Sequence, residues 1–295
     1  MADEPIYRLV REPVADDPVL IVALDGWVDA GLGASAALGA ILEAGDPVTI
    51  ATFDTDRFID QRARRPVAHL VNGVLTELRW PELQVVETRD HSGQHLLLLT
   101  GPEPDFHWRG FVAGVVDLAL RCEVRTVVGF GAFPAPTPHT RATKLVGTAA
   151  EEYADLIERV GTVHGELEVP AGVTSALEVA MADAGIPMVT MWARVPHYVA
   201  AMPFPEASAA LLDGLLPVVG LHFDVAELRK AADASRRQID ELIAANPEHL
   251  AMVRSLEATI DATEGNPFGL DNLPSGDELA AEFERYLRGE GGFRN

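Results

Sequence analysis

Short apolar runs that suit buried strands alternate with helical patterns through the first two-thirds of this chain. Residues 19–24 are apolar at every position, as expected of a strand that is covered on both faces. The small residues of the segment 31–44 then read as a helix. This alternation predicts an α/β fold with a mostly parallel or mixed central sheet and helices on both faces.

The same alternation continues further along the chain. More strands are predicted at residues 48–53, 83–88, 95–100, 125–130 and 188–194. More helices are predicted at residues 106–121, 151–160, 174–184 and 206–216. The stretch 54–80 is irregular and rich in arginine, and we expect an insertion or a partly antiparallel element there.

The pattern changes to helices alone after about Gly220. Asp224 and Glu227 have the spacing of a capping box at a helix start, and the box recurs at Ser275. Asn246 is followed by a proline, which suits the opening of another helix. We therefore predict an α/β core domain over residues 1–222 and a small helical appendage over residues 223–295, made of a helical hairpin and a terminal helix.

Composition narrows the classes of partner. The chain has 45 acidic and 23 basic residues, a formal charge of -22, which disfavours nucleic acid and anionic membranes because both need a cationic surface. Asp25 and Asp29 interrupt the longest apolar stretch, so no run of about 18 residues suits a membrane span. Cys122 is the only cysteine and no signal pattern opens the sequence, which favours a cytoplasmic location.

Sheets of this class bind ligands beyond the carboxyl ends of their strands. Four loops are predicted at that edge, at residues 25–31, 131–141, 168–174 and 195–203, and each mixes glycine or proline with polar or aromatic residues. We expect them to form a cleft. The candidate binding residues are Asp25, Trp27, Asp29, Gly131, Phe133, Thr137, His139, Arg141, Pro170, Gly172, Thr174, His197 and Tyr198.

His139 and His197 are the candidate general acid–base residues of this cleft, since imidazole titrates near neutral pH. Arg141 and Thr137 lie close to His139 in sequence, and together they could hold a carboxylate or a phosphate. The alternative is that these polar groups only satisfy the backbone of their own loop.

Motifs for cofactors and metals stand in the wrong context. Gly31 and Gly33 fit a dinucleotide fingerprint, but residues 25–30 separate them from the strand. His91 and His95 are four residues apart, but a glycine lies between them and a strand follows, so a shared helical face is not expected. We predict no cofactor and no metal.

Four segments of the chain resemble a known family. They are residues 23–31 (ALDGWVDAG), 129–141 (GFGAFPAPTPHTR), 195–203 (VPHYVAAMP) and 273–285 (LPSGDELAAEFER). They are similar to the proteasome assembly chaperone family of the second type, in its actinobacterial branch. The resemblance implies a fold similar to nucleoside phosphorylases, a homo-oligomer with a trimer favoured and, in eukaryotic members, a chaperone role toward proteasome α-subunits.

The predicted function is that of a cytosolic, homo-oligomeric protein-binding factor with proteasome subunits as candidate partners. The alternative is a small-molecule-binding enzyme that uses the cleft, similar to nucleoside phosphorylases and hydrolases or, as some relatives are labelled, to carboxylate–amine ligases. The chain has only two lysines and no glycine-rich nucleotide loop, which argues against a carboxylate–amine ligase. The final residues, Phe293-Arg294-Asn295, depart from the hydrophobic–tyrosine–any tail with which related proteins dock on the proteasome core.

Overall fold

Ten strands and eight helices make up the described part of the chain. The computed structural model describes residues 5–26, 28–163 and 165–265. The strands are β1 (Tyr7–Leu9), β2 (Val19–Asp25), β3 (Val48–Phe53), β4 (Val67–Val71), β5 (Val74–Arg79), β6 (Gln84–Arg89), β7 (His95–Pro102), β8 (Thr126–Ala135), β9 (Leu145–Thr148) and β10 (Met188–Pro196). The helices are α1 (Gly33–Ala44), α2 (Thr55–Phe58), α3 (Trp108–Arg121), α4 (Asp155–Val160), α5 (Val173–Asp183), α6 (Pro205–Val219), α7 (Ala226–Ala244) and α8 (Pro247–Gly265).

Eight of the strands form one mixed sheet in the order β1-β3-β6-β7-β2-β8-β10-β9. The four central strands β7, β2, β8 and β10 are parallel, whereas the outer pairs are antiparallel. The carboxyl ends of the four parallel strands therefore meet at one edge of the sheet. This arrangement confirms the predicted α/β class with a mixed central sheet.

Helices cover both faces of this sheet because the central strands are apolar on both sides. Ile21 and Leu98 belong to the core beneath α1 and α6. Their chain neighbours Leu20 and Leu97 point the other way, into the core beneath α3 and α5. Successive side chains of a strand alternate between faces, so a run that is apolar throughout needs a helical layer on each side.

Strand β8 extends five residues further than the sequence predicts. It pairs with β10 from Val127 opposite Met188 up to Ala135 opposite Pro196. Gly131 and Phe133, which the sequence places in a loop, therefore lie within a strand. The extension depends on the partner strand, which follows some 50 residues later in the chain and cannot be recognised from the local pattern.

The irregular stretch before β6 contains an antiparallel hairpin of β4 and β5, in agreement with one of the two expectations for it. Asn72 and Gly73 form its turn with positive φ angles of 51° and 81°. That pair of residues favours the tight turn which matches the twist of two antiparallel strands. The hairpin is a separate sheet, outside the eight-stranded one.

Helices α7 and α8 follow the last core helix as a hairpin. Ile239 and Ile243 of α7 and Val253 of α8 are buried in the same apolar cluster as α1 and α6. The remainder of the predicted appendage, with the terminal helix expected from Ser275, lies outside the described residues. The boundary between residues 222 and 223 stays a prediction. Within the described ranges, no helix is both long and apolar enough to span a membrane.

Candidate functional site

A cavity of about 270 Å³ opens at the edge of the sheet where the parallel strands end. Leu24 of β2, Phe133 of β8 and Trp192 of β10 form its apolar walls. The first two turns of α5 close another side. We call this space the edge cavity. Its position is the one at which sheets of this topology bind ligands.

Glu178 of α5 places a buried carboxyl group in the wall of the edge cavity, with 8% of the residue exposed. Its Oε1 accepts hydrogen bonds from the hydroxyl groups of Thr148, at 2.7 Å, and Thr190. The indole N–H of Trp192 donates in turn to Thr148 Oγ1 at 3.0 Å. These bonds hold the carboxyl group and the indole ring in fixed positions at the cavity.

Burial raises the pKa of Glu178 above its usual range. Desolvation is the main cause, because it disfavours the charged carboxylate. The hydrogen bonds from Thr190 and Thr148 favour the charged form and offset only part of this effect. Glu178 therefore keeps its proton to a higher pH than an exposed glutamate does.

We expect wild-type stability to fall relative to a Glu178→Gln variant as the pH rises above 4.5, the ordinary pKa of a glutamate. The unfolded chain ionises first, so an acid with a raised folded pKa loses stability over the interval between the two pKa values. Glutamine keeps an acceptor for the two threonines and has no charge to bury. Urea unfolding of both proteins from acidic to mildly alkaline pH measures the difference. A difference that does not change with pH would contradict the raised pKa.

Glu103 adds a second carboxyl group to the lining. It follows β7, and its Oε1 accepts a hydrogen bond of 2.7 Å from the backbone N–H of Val173, the first residue of α5. A carboxylate at this place complements the partial positive charge of a helix start. The described lining contains no lysine, arginine or histidine, so the edge cavity is apolar with an acidic bias.

Four of the residues predicted from sequence line the edge cavity, namely Phe133, Pro170, Gly172 and Thr174. Gly131 lies just beneath it, in contact with the ring of Trp192. A Cβ atom at Gly131 would be 2.3 Å from two atoms of that ring, so only glycine lets the indole lie flat against β8.

The first predicted loop has a structural role at the start of α1. The carboxylate of Asp29 accepts hydrogen bonds from the backbone N–H groups of Ala34, at 2.7 Å, and Ser35, at 3.0 Å. Asp25 lies close by, and its pKa is raised, first by desolvation and then by the like charge of Asp29. Trp27, also predicted to bind, lies outside the described residues.

His139 is buried away from the edge cavity, with 1% of its side chain exposed. Its backbone N–H and its Nδ1 both lie within hydrogen-bond distance of the Tyr198 hydroxyl, at 2.8 and 2.7 Å. Its Nε2 lies 3.0 Å from Oδ1 of Asp240 on α7. All three groups are satisfied when the tyrosine donates to Nδ1 and Nε2–H donates to the carboxylate. Burial raises the pKa of Tyr198 to about 12, so its hydroxyl stays protonated.

Arg141 contacts the other helix of the hairpin. Its Nε and one terminal nitrogen donate to the two carboxylate oxygens of Asp261, at 2.9 and 2.8 Å. Glu257 accepts a bond of 2.5 Å from the hydroxyl of Thr140. Arg236 of α7 donates to the Thr140 carbonyl at 2.6 Å. The loop of residues 136–144 is thus clasped by α7 and α8, and we call this contact the loop clasp.

The remaining candidates also lie outside the cavity lining. Thr137 is buried, and its backbone N–H donates to the Ala135 carbonyl at 2.8 Å. His197 and Tyr198 follow β10 in a short turn, with their ring centroids 5.3 Å apart. The structure therefore separates the predicted cleft residues, with one group at the edge cavity, Asp29 at the start of α1, and His139 and Arg141 in the loop clasp, where Tyr198 bonds to His139.

Sequence reasoning missed Glu103, Glu178 and Trp192. Glu178 carried a usable signal, because it lies beside Leu177 and three residues before Met181, on the buried side of a predicted helix. An acidic residue on such a side is unusual unless it is paired or functional. Glu103 and Trp192 offered no such signal, since their positions depend on where α5 and β9 pack.

Taken together, the mixed sheet, the edge cavity and the clasped loop define a three-layer α/β protein with a helical hairpin against its rim. The chain belongs to the PAC2 family, whose model matches residues 23–243. This confirms the resemblance noted in the sequence.

Solved structures from other organisms are similar over most of the chain. A Mycobacterium tuberculosis protein of unknown function, Rv2714, is 31% identical with a TM-score of 0.83, covering 99% of this chain and 98% of that one. A protein of unknown function from Corynebacterium glutamicum is 30% identical with a TM-score of 0.82, covering 89% and 99%. The M. tuberculosis proteasome-assembly chaperone homologue Rv2125 is 34% identical with a TM-score of 0.73, covering 80% and 99%. No curated protein matches the chain.

Proposed function

We propose that this chain is a cytosolic, homo-oligomeric protein-binding factor of the proteasome-assembly-chaperone type. The observation that carries the proposal is the exposed apolar hairpin of β4 and β5. The name of the M. tuberculosis relative, a proteasome-assembly chaperone homologue, supports the class of partner.

The β4–β5 hairpin exposes apolar side chains on both of its faces. Leu70 and Leu75, which are partners across the two strands, are 59% and 57% exposed, and Val74 is 63% exposed. Every residue of both strands is exposed. A two-stranded hairpin is at best marginally stable alone in water, and a contiguous apolar patch of this kind marks a protein-binding surface.

A second copy of this chain is the occupant that charge favours. The segment of residues 57–79, which contains the hairpin, has five arginines and two acidic residues, a formal net charge of +3, whereas the whole chain carries -22. The segment therefore suits an acidic surface, and another copy of the chain supplies one. Complementary charge steers association and sets orientation, while the buried apolar side chains supply most of the affinity.

We expect the wild-type protein to form a homo-oligomer and a Leu70→Glu/Leu75→Glu variant to dissociate to monomers. Two unpaired carboxylates at the contact would raise the dissociation constant of the oligomer at least about a hundredfold. Light scattering after size exclusion and sedimentation velocity measure the mass. These methods also test whether the oligomer is a trimer.

The matched control is Val179→Glu/Leu216→Glu, which adds the same charges at two exposed apolar positions on α5 and α6. It should keep the wild-type mass. A monomeric wild type, or a hairpin variant that keeps the wild-type mass, would remove the proposal. Equal loss of mass in both variants would point to net charge as the cause and count against the hairpin.

A client role is tested separately with purified proteasome core α-subunits. We expect the oligomer to retain them in a pull-down at micromolar concentrations, whereas a bait of equal net charge from an unrelated protein does not. If no subunit associates, the assembly-factor role fails even where the homo-oligomer stands.

The enzyme alternative receives less support from the geometry. Neither His139 nor His197 lines the edge cavity, and both ring nitrogens of His139 lie against partners within the fold. Phosphorolysis and ligation both need cations that hold phosphate, and the described lining supplies none. What the cavity does favour is the binding of a small ligand.

A further inference from the structure

The edge cavity is built around groups that a protein-binding role does not use. Its volume is about 270 Å³, whereas an apolar protein cavity of roughly 150 Å³ already holds a benzene molecule. The edge cavity thus has the scale of one aromatic ring with a short side chain. A ligand that covers its apolar walls would gain free energy from the hydrophobic effect. Concave apolar sites with a few polar groups are typical of small-molecule binding.

Glu178 supplies the polar contact for such a ligand. Both hydrogen bonds that it receives, from Thr148 and Thr190, end on Oε1. Within the described residues, Oε2 has no hydrogen-bond partner, although the residue is only 8% exposed and lines the cavity. Oε2 is not fully enclosed, so a ligand or water in the cavity can complete its hydrogen bonding.

The charges around the cavity restrict the ligand further. Glu103 and Glu178 both line it, without a basic side chain among the described lining residues. An anionic ligand would be repelled, whereas an ammonium group would be attracted. The aromatic rings of Phe133 and Trp192 also line the cavity, and a cation over the face of such a ring is attracted by its π electrons.

We propose that the edge cavity binds a small aromatic or aliphatic primary amine, with the ammonium group on Oε2 of Glu178 and the hydrocarbon part between Phe133 and Trp192. The ammonium stabilises the carboxylate by a charge-assisted hydrogen bond in a site of low dielectric constant. The threonine pair keeps the carboxylate aimed at the ligand. This inference is independent of the proposed oligomer and of any proteasome partner.

The test compares three probes of nearly the same shape by isothermal titration calorimetry: 2-phenylethylamine, 2-phenylethanol and phenylacetate. We expect the amine to bind at least about tenfold more tightly than the alcohol, since a hydrogen bond to a charged group exceeds a neutral one by that much. Phenylacetate should bind most weakly. Equal affinities, or binding of no probe at low-millimolar concentration, would overturn the proposal.

Preference for phenylacetate would also overturn the proposal, and would point to Arg194 as the group that holds the carboxylate of the probe. That residue lies two positions after Trp192 on the same side of β10, opposite Phe133 in the register, although it does not line the cavity.

Two variants assign the contact to its residues. Glu178→Gln should weaken the binding of the amine about tenfold and leave the binding of the alcohol nearly unchanged. Its matched control, Glu43→Gln, removes the same charge from an exposed position on α1 and should bind like wild type. Equal weakening in both variants would contradict a specific contact with Glu178. Thermal melting without ligand verifies that each variant folds. If a variant does not fold, the comparison of the three probes on the wild-type protein decides the proposal.

Discussion

Replacing His139 with alanine should lower the free energy of unfolding by about 2–4 kcal/mol. The side chain is almost fully buried, so its removal leaves a cavity. It also leaves the hydroxyl of Tyr198 without the acceptor Nδ1, at 2.7 Å in the wild type. Urea unfolding measures the loss. Hydrogen exchange should show α7 opening more often, because Asp240 loses its contact with the loop.

Arg141→Met is the matched comparison for this experiment. Among the described residues it removes the ion pairs with Glu257 and Asp261 in the same loop clasp, and Arg141 and Asp261 are both partly exposed to solvent. Exposed ion pairs contribute little, so we expect a cost of no more than about 1 kcal/mol. A His139→Ala protein as stable as wild type would contradict a structural role for His139 and would return it to the candidates for chemistry.

The second large effect is expected at Asp90, where alanine should cost about 3–5 kcal/mol. Asp90 is buried and accepts hydrogen bonds from the backbone N–H groups of Ser92, Gln94 and His222, at 2.9, 2.8 and 2.9 Å. His222 lies between α6 and α7. One carboxylate therefore joins the β6–β7 turn to the point at which the helical hairpin leaves the core, and its loss leaves three backbone N–H groups without their acceptor.

Asp90→Asn separates the charge from the acceptor geometry. The asparagine oxygen can still accept from Ser92 and Gln94, which both bond to Oδ1, but its NH₂ group would face the N–H of His222. We expect the free energy of unfolding of the asparagine variant, measured with urea, to lie between those of the wild type and the alanine variant. An asparagine variant as unstable as the alanine variant would show that the bonds to Oδ1 contribute nothing.

The stabilisation by Asp90 should depend on pH in a defined direction. Desolvation works against its charge, but the bonds from His222, Ser92 and Gln94 together hold the pKa of Asp90 below its usual range. A group with a depressed folded pKa stabilises above its unfolded value, here 3.8, and loses that contribution as the pH falls through the folded pKa. The difference in stability between wild type and Asp90→Ala should therefore shrink in acid. A difference that grows in acid would contradict the depressed pKa.

Local patterns in the sequence were sufficient for the class of fold and for six of the ten described strands, namely β2, β3, β6, β7, β8 and β10. The apolar run at residues 19–24 became the central strand β2, since a strand that is apolar on both faces has to be covered on both faces. The proline that opens α8 was likewise predicted from the sequence, because cap chemistry acts over a few residues.

The candidate site was readable only in part. Phe133, Pro170, Gly172 and Thr174 do line a cavity at the expected edge of the sheet, because strand polarity alone fixes where parallel strands end. His139 and Arg141 were predicted to lie near these residues because their loop follows a predicted strand. The structure instead places both against helices more than 95 residues later in the chain.

The sequence by itself thus determined the alternating strands and helices, the acidic surface with its arginine-rich hairpin segment, and the family. Tertiary structure alone decided which polar groups face the edge cavity and which hold the chain together. The reason is physical. Glu178 and Trp192 meet through Thr148, and His139 meets Asp240, by contacts between segments 30 to 101 residues apart. Such contacts depend on strand register and helix packing, which no local periodicity encodes.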